Sequence, residues 1–499
     1  MSKLPFNMAC IYMAANSRLP WTVNQIMPYI VHTYQNNGIT KKKWFFDSFL
    51  MLDFEISVSG QKYALTLGRY KYNDSMTQLV AEPADRTVWE ELINRYFGTS
   101  DQIGVLKKFN DAIALAKQEL GEPGFKHRVM LGLPEPLAHY PNPQYDPNDP
   151  NSRLHLPVFS DNPNGPGFLW GLNAQNSPIV FRRIQNGNNA HAKNEYCGCS
   201  YAVNWFIDEC LSRWNSEELP HLELSGFYWV NEGGPGVNNA FDTIKRVKCH
   251  IKAINHDQSL NLQLIFSPYY SYYDGKWTVN GNWTPYREQC NYFDIVFAQP
   301  NYSLGAGSVI PTGNDAEAEA IEASQYARFL NAITKAVNLK DGIDVELDEH
   351  CMYNYDNKAP KRQERVGRYL EALCNKFHMD LLYYTGNAVV TYIEDVNTTY
   401  YHNNVACQPT SEDHSMIHQL ALFVDRRRRQ IVAFNNADVN EDGIVDITDT
   451  QIVLNEMLGH NTGYGDRADV NHDGIVDISD YNQVSQVMLG HLDEMGYDE

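Results

Sequence analysis

Leu224 to Pro235 run LSGFYWVNEGGP. Aromatic and apolar residues fall on both faces, the pattern of a strand in a parallel sheet covered on both sides. Asn231 and Glu232 follow at once, then Gly233, Gly234 and Pro235, so a carboxylate stands where a strand gives way to a loop. In a (β/α)8 barrel the ends of the strands form the catalytic rim. Glu232 is therefore a candidate catalytic residue, with Asn231 and Tyr228 beside it as candidate substrate ligands. The competing reading has Glu232 capping the Gly233-Gly234 turn.

A second strand-end acid lies further along. Gly342 to Glu349, GIDVELDE, alternates strictly. Ile343, Val345 and Leu347 are expected to face surrounding helices, and Asp344, Glu346 and Asp348 the barrel interior. Glu346 is the candidate catalytic partner, and Asp348 a substrate ligand. Retaining glycoside hydrolysis needs two carboxyls about 5–5.5 Å apart, whereas about 6.5–9.5 Å suits inversion.

Working outward, further segments fit the same architecture. Asn7 to Met13 reads as a first strand, and Trp21 to Tyr34 has helical spacing. Trp44 to Ile56 reads as a second strand, placing Asp53 and Glu55 among the candidate substrate ligands. Residues 86–120 are helical in pattern, Arg128 to Leu133 is a third strand, and 137–195 form a long insertion rich in Pro, Asn and Gly, of the kind that shapes a cleft. The 224–235 run is the fourth strand, between helical patterns at 200–216 and 239–255. Asn261 to Ser267 is the fifth, and the loop after it holds Tyr269, Tyr270, Trp277 and Trp283, flat faces on which sugar rings stack. Phe293 to Gln299 is the sixth, ending at Asn301, another candidate ligand; GIDVELDE is the seventh and Met379 to Tyr384 the eighth. Helical patterns at 316–337 and 361–377 flank the seventh. Eight strands alternating with helices specify an α/β fold, a (β/α)8 TIM barrel with long βα loops. Ser411 to Arg429 reads as a closing helix whose Arg426–Arg429 run opposes the dipole at its end.

Composition removes several classes. The chain has 499 residues and a net charge of −21, which argues against nucleic acid as partner. Residues 435–499 hold 15 acidic residues against the single Arg467, so the body is only mildly acidic. No run of about 18 apolar residues is present, so no membrane span is expected. Residues 1–13 lack a sustained apolar core and a small-residue cleavage site, so any export signal is expected to lie outside this chain. The nine cysteines show no zinc-ligand spacing. Neither Gly-x-Ser-x-Gly nor His-Glu-x-x-His occurs, which weakens the esterase and peptidase readings. No cofactor is expected for catalysis.

The acidic tail carries its own pattern. Asp438, Asn440, Asp442, Ile444, Asp446 and Asp449 stand at positions 1, 3, 5, 7, 9 and 12 of a calcium loop, with Gly443 at 6 for the sharp turn. Asp469, Asn471, Asp473, Ile475, Asp477 and Asp480 repeat it 31 residues later, around Gly474. Each copy is followed by a short apolar helix, and two Ca2+ ions are expected.

This pair of loop-helix repeats resembles a type I dockerin, a small all-α domain. The resemblance implies calcium-dependent folding, docking to a cohesin domain of a scaffold protein, and a secreted or cell-surface setting. It also implies that Ile447-Thr448 and Ile478-Ser479, just before the last ligands, read the partner. Asn231-Glu232 on the fourth strand resembles the acid/base signature of clan A retaining glycoside hydrolases, whose nucleophile is a Glu ending the seventh strand, the place of Glu346. The body also resembles a bacterial barrel family of unknown function, number 4855, through Gly-Phe-Tyr-Trp-Val-Asn-Glu and Val-Glu-Leu-Asp. The expected organisation is a barrel over 1–430, a linker at 431–436 and the dockerin at 437–499. The function expected is cleavage of O-glycosidic bonds in a polysaccharide or oligosaccharide, with Glu232 as acid and Glu346 as nucleophile. The alternative is a non-catalytic carbohydrate-binding component of the same complex.

Overall fold

The computed structural model describes residues 5–13, 21–53, 84–136, 198–230, 241–268, 292–303, 316–347, 359–384 and 413–491, with short pieces within 55–80, 168–181, 276–285, 311 and 400–407. The chain forms two compact units. One comprises Phe6–Val366 and Asp380–Met416, and the other Met1–Pro5, Gly367–Met379 and Ile417–Glu499.

In the first unit eight parallel strands close on themselves. They are β1 (Asn7–Tyr12), β2 (Ser48–Leu52), β3 (His127–Leu133), β4 (Leu222–Trp229), β5 (Gln263–Phe266), β6 (Ile295–Ala298), β7 (Gly342–Glu346) and β8 (Leu381–Tyr384). They follow chain order around the ring, and β8 returns to β1 through Asn7↔Leu381, Met8↔Leu382 and Ala9↔Tyr383. The helices of the connections are α1 (Val23–Ile30), α2 (Arg86–Phe97), α3 (Val105–Leu120), α4 (Gly198–Ser216), α5 (Phe241–Gln258), α6 (Ala316–Leu339) and α7 (Ala359–Leu373). This is the (β/α)8 fold expected from the strand and helix alternation.

Alternate residues face the interior, where Met8, Leu50, Met130, Ile265, Phe297 and Leu382 pack together. β4 reaches this arrangement through a bulge. Leu224 pairs with Val129, but Gly226 pairs with Met130, so Ser225 is the extra residue and the parity of the strand reverses there. Tyr228 and Val230 consequently point inward. Gly226 has φ +146, and a Cβ there would come within 2.0 Å of the Gln263 carbonyl oxygen and 2.5 Å of its nitrogen. At the other end of the strands, the Asp47 carboxylate accepts from Asn7 N (3.1 Å), Asn7 Nδ2 (2.8 Å) and Arg128 Nη2 (3.1 Å), tying β1, β2 and β3 together.

Some segments depart from the periodicity. The helical spacing of 21–34 stops at Ile30, and Val31–Asn36 forms a hairpin with Ile39–Trp44. Asn37 and Gly38, both with positive φ, make its two-residue turn. The 44–56 run is not one strand: Glu55–Val58 leaves the barrel to pair with Gln61–Ala64. Within the long insertion, Phe168–Leu172 pairs with Pro178–Phe181, and Trp170 is anchored 5.2 Å from Trp89 of α2 and 5.2 Å from Trp205 of α4.

In the second unit, α8 (Asp413–Ala437) extends beyond the predicted end, and residues 431–436 lie within it. The arginine run is therefore interior to the helix rather than at its end. Arg427 donates to the carbonyls of Lys376 (2.9 Å) and Met379 (2.5 Å), while Arg428 and Arg429 lie 3.8 and 3.6 Å from Asp425. Helices α9 (Ile447–Met457), α10 (Gly465–Ala468) and α11 (Ile478–Met488) follow. Val439, Val453, Val470, Val484 and Val487 form a small core with Ala437 and Ala468. Among the described residues no helix is long and apolar enough to cross a membrane.

Replacing Gly226 by Ala should cost roughly 3 kcal/mol, because the new methyl meets backbone that has no room to move. Urea unfolding of the full chain measures this; a loss under about 0.5 kcal/mol, within the surface-substitution range, contradicts the bulge.

Candidate functional site

The barrel interior is apolar around most of its circumference and polar between β5 and β7. Ser267, just past β5, has its Oγ 3.1 Å from the Phe297 carbonyl oxygen and 3.1 Å from Asp344 Oδ2. Gln299 Nε2 donates to the Ser267 carbonyl at 3.0 Å. One step toward the rim, Glu346 ends β7 with 4% of its surface exposed. Its Oε2 accepts the N–H groups of Tyr302 (2.9 Å) and Ser303 (2.7 Å). Asp344 and Glu346 thus share one face of β7, as its alternation predicts.

The segment that supplies those N–H groups is held from behind. Asn301 has φ +50, in the left-handed region that Asn tolerates better than most residues. Its carbonyl accepts from Arg328 Nη2 of α6, and the Tyr302 carbonyl accepts from Arg365 Nη1 of α7. Arg365, fully buried, also binds Glu322 Oε2 through Nη2 (2.6 Å) and Nε (3.0 Å). The Tyr302 hydroxyl donates to Glu322 Oε1 at 2.8 Å, and its ring stacks on Phe329 at 4.9 Å. The Ser303 hydroxyl is buried and has no hydrogen-bond partner among the described residues.

The other sequence candidates distribute unevenly. Asp53 stands on the face of β2 opposite Leu50 and Leu52, where Arg95 of α2 pairs with it. Tyr228 is buried inside the barrel, and Asn301 contributes its backbone as described. Trp277 and Trp283 belong to a hairpin in the β5–β6 connection, in register with Thr284 and Thr278. Asn231, Glu232, Tyr269, Tyr270 and Asp348 lie outside the described residues, as does the side chain of Glu55. Glu135 was passed over by the sequence reading. It lies two residues past the end of β3 and is 5% exposed, and the signal was present in Pro134-Glu135-Pro136 after an apolar strand. The Glu322–Arg365 pair carried no such signal, since its members come from two helices.

In the tail, both loops adopt the shape that their spacing predicts. Asp438 Oδ1 and Oδ2 accept the N–H groups of Asp442 (3.1 Å) and Gly443 (3.0 Å), and Asp442 Oδ1 accepts that of Ile444 (2.9 Å). Asp449, fully buried, accepts from Asn440 N at 3.2 Å and Asp446 N at 3.0 Å. The second loop repeats each contact: Asp469 accepts from Asp473 N and Gly474 N, Asp473 Oδ1 from Ile475 N, and Asp480 from Asn471 N and Asp477 N. Glu441 and His472, at the fourth position of each loop, have positive φ. Burial, opposed by the Gly443 N–H and reinforced by Asp449 and Asp442, raises the Asp438 carboxyl above its ordinary value. The side-chain donors at these positions are all oxygens, the ligand chemistry that suits a hard divalent cation such as Ca2+. Asp446 and Asp477 also cap α9 and α11 by accepting from Thr448 and Ser479 N.

Residues 7–406 match the model of a domain of unknown function, DUF4855, and residues 436–489 match that of the type I dockerin domain. No curated protein matches the chain. Among solved structures, a family 18 chitinase from Crocus vernus is similar with a TM-score of 0.29 and 10% identity, over 78% of this chain and 96% of that one. A likeness that low carries no argument; the barrel rests on its own strand pairing.

Removing one member of the buried Glu322–Arg365 pair leaves an uncompensated charge, so Glu322→Ala should destabilise the barrel by about 3–5 kcal/mol. The double replacement Glu322→Leu with Arg365→Met should cost distinctly less. Equal losses in guanidinium unfolding would remove the pair from this role.

Proposed function

We propose that this chain, which belongs to the DUF4855 family, is a secreted glycoside hydrolase that cleaves O-glycosidic bonds of a polysaccharide while its dockerin region binds a cohesin domain on a scaffold protein. The observation that carries this reading is Glu346, a buried carboxylate fixed by two N–H donors at the C-terminal end of β7 in a closed parallel barrel. That end is where barrel enzymes place their chemistry.

Glu346 is assigned as nucleophile, attacking the anomeric carbon to form a glycosyl-enzyme. Glu232 is assigned as the acid that protonates the departing oxygen and then, as base, takes a proton from the water that releases the sugar. Tyr228 and Val230 face the interior, and Glu232 follows them at the same spacing of two in the sequence, which supports this assignment. Asn231 is suited to hydrogen-bond the sugar 2-hydroxyl, an interaction that strengthens in the transition state. Tyr269, Tyr270, Trp277 and Trp283 offer stacking surface, and Asp348 and Glu135 offer acceptors for sugar hydroxyls.

For the tail, each loop is assigned one Ca2+, held by its side-chain oxygens and by the carbonyl of Ile444 or Ile475. When bound, the ion neutralises the clustered carboxylates. The cohesin-reading surface is assigned to Ile447-Thr448 and Ile478-Ser479. Ile447 and Ile478 are 65% and 58% exposed, which leaves apolar surface available to a partner. Docking of this kind implies an extracellular or cell-surface location.

Product release from plant, algal and mucin polysaccharides tests the enzyme reading. Glu232→Gln and Glu346→Gln should each lower the rate roughly 10²–10⁴-fold with folding intact. A wild type that binds a glycan and releases nothing transfers the barrel to the non-catalytic reading. Calorimetric titration should find two Ca2+ per chain and one in Asp480→Ala, and chelation should abolish cohesin capture while the barrel keeps its unfolding transition. An unchanged stoichiometry in Asp480→Ala removes the second loop from the assignment.

A further inference from the structure

A nucleophilic carboxylate must stay charged inside a barrel whose interior is largely apolar, which is costly without fixed dipoles or cations around it. We infer that Arg328 and Arg365 keep Glu346 ionised and oriented by acting on it through two intervening peptide groups. They are positioning residues, on helices α6 and α7, and the inference rests on reading Glu346 as the nucleophile.

The geometry is a double relay. The peptide between Asn301 and Tyr302 has its carbonyl oxygen on Arg328 Nη2 and its N–H on Glu346 Oε2. The next peptide, between Tyr302 and Ser303, has its carbonyl oxygen on Arg365 Nη1 and its N–H on the same Oε2. In each, the positive side chain meets the negative end of the peptide dipole, and the carboxylate meets the positive end. Hydrogen bonds in such a chain polarise one another and so strengthen in series. Successive N–H groups converging on one anion form a nest, here beside the left-handed turn at Asn301.

The relay is also rigid. Arg365 is fixed by Glu322 and lies with its guanidinium carbon 4.7 Å from the Tyr302 ring centroid, so the Tyr302 peptide is gripped at backbone, hydroxyl and ring. Arg328 is further held by Gln325 Oε1 at 2.6 Å. Among the described residues, titratable groups beside Glu346 are Asp344, two residues back on β7, and Tyr384, its register partner on β8; Glu322 stands behind Tyr302. Asp344, when charged, opposes a second negative charge on the same face, which is the repulsion that the relay offsets.

The test uses the full chain labelled at the glutamate side-chain carboxyl with 13C, the Glu346 signal being identified by its loss in Glu346→Gln. In Arg328→Met the titration midpoint of that signal should rise by roughly one unit, as expected when a nearby cation is lost, and Arg328→Lys should restore part of it. Arg365→Lys keeps the charge but loses the fork, and should raise the midpoint less. Where a glycan substrate is found, the acidic limb of kcat/KM should move with the midpoint and kcat should fall while KM holds. Midpoints unchanged in folded Arg328→Met overturn the relay, even if activity drops. Should Arg365→Lys fail to fold, the two Arg328 variants decide alone. An inactive wild type whose Glu346 midpoint still responds to Arg328 sinks the glycosidase reading and leaves the relay standing; an active one whose midpoint does not respond gives the reverse.

Discussion

Closing eight parallel strands on themselves gives every strand one face toward a single interior, and a slip of one residue exchanges that face for the other. The rest of the barrel unit follows from how each strand meets this condition. β1, β2, β3, β5, β6 and β8 meet it with apolar residues at alternate positions. β4 meets it only after its bulge, where Gly226 lies against the backbone of Gln263 so closely that no side chain fits. The strand that carries Tyr228 inward is therefore set by a backbone irregularity. Bulges of this kind recur where a side chain has to be re-aimed.

Charge is placed in the same barrel by pairing. Asp47 meets Arg128 at the N-terminal ends of the strands, Asp53 meets Arg95 against α2, Lys248 meets Asp294, and Glu322 meets Arg365. Each pair holds one charge against another, and where both members are buried, removing either leaves an ion without compensation. Glu346 receives peptide N–H groups from the β6–α6 connection. Hydrogen bonds from fixed backbone donors favour the charged form of a carboxylate and set its direction.

The tail is built on another economy. Its loops are too short and polar for a conventional core, so aspartate and asparagine side chains take up the backbone N–H groups that no helix or sheet satisfies. Small valines and alanines from both repeats share one compact core. The large aliphatics Ile447, Leu458, Ile478 and Leu489 are left on the surface in equivalent pairs.

The sequence alone determined the number and order of the barrel strands and the two calcium-type loops, because both depend on local periodicity: alternation by two in GIDVELDE, and fixed oxygen and glycine positions in Asp438–Asp449 and Asp469–Asp480. It also placed Asp344 and Glu346 on one face of β7. It misjudged where a pattern ended, at Ile30, at Leu52 and at Arg429, since the residues that stop an element there act through neighbours in space. Asn37-Gly38 was a local turn signal that the periodicity did not take into account. The tertiary structure decided which face of β4 points inward, why Asp53 turns to Arg95, and how Asn301, Tyr302, Arg328 and Arg365 converge on Glu346. Those residues lie on separate elements up to 64 positions apart in the chain. The packing of neighbouring barrel elements brings them together, and no periodicity in one stretch of sequence encodes that.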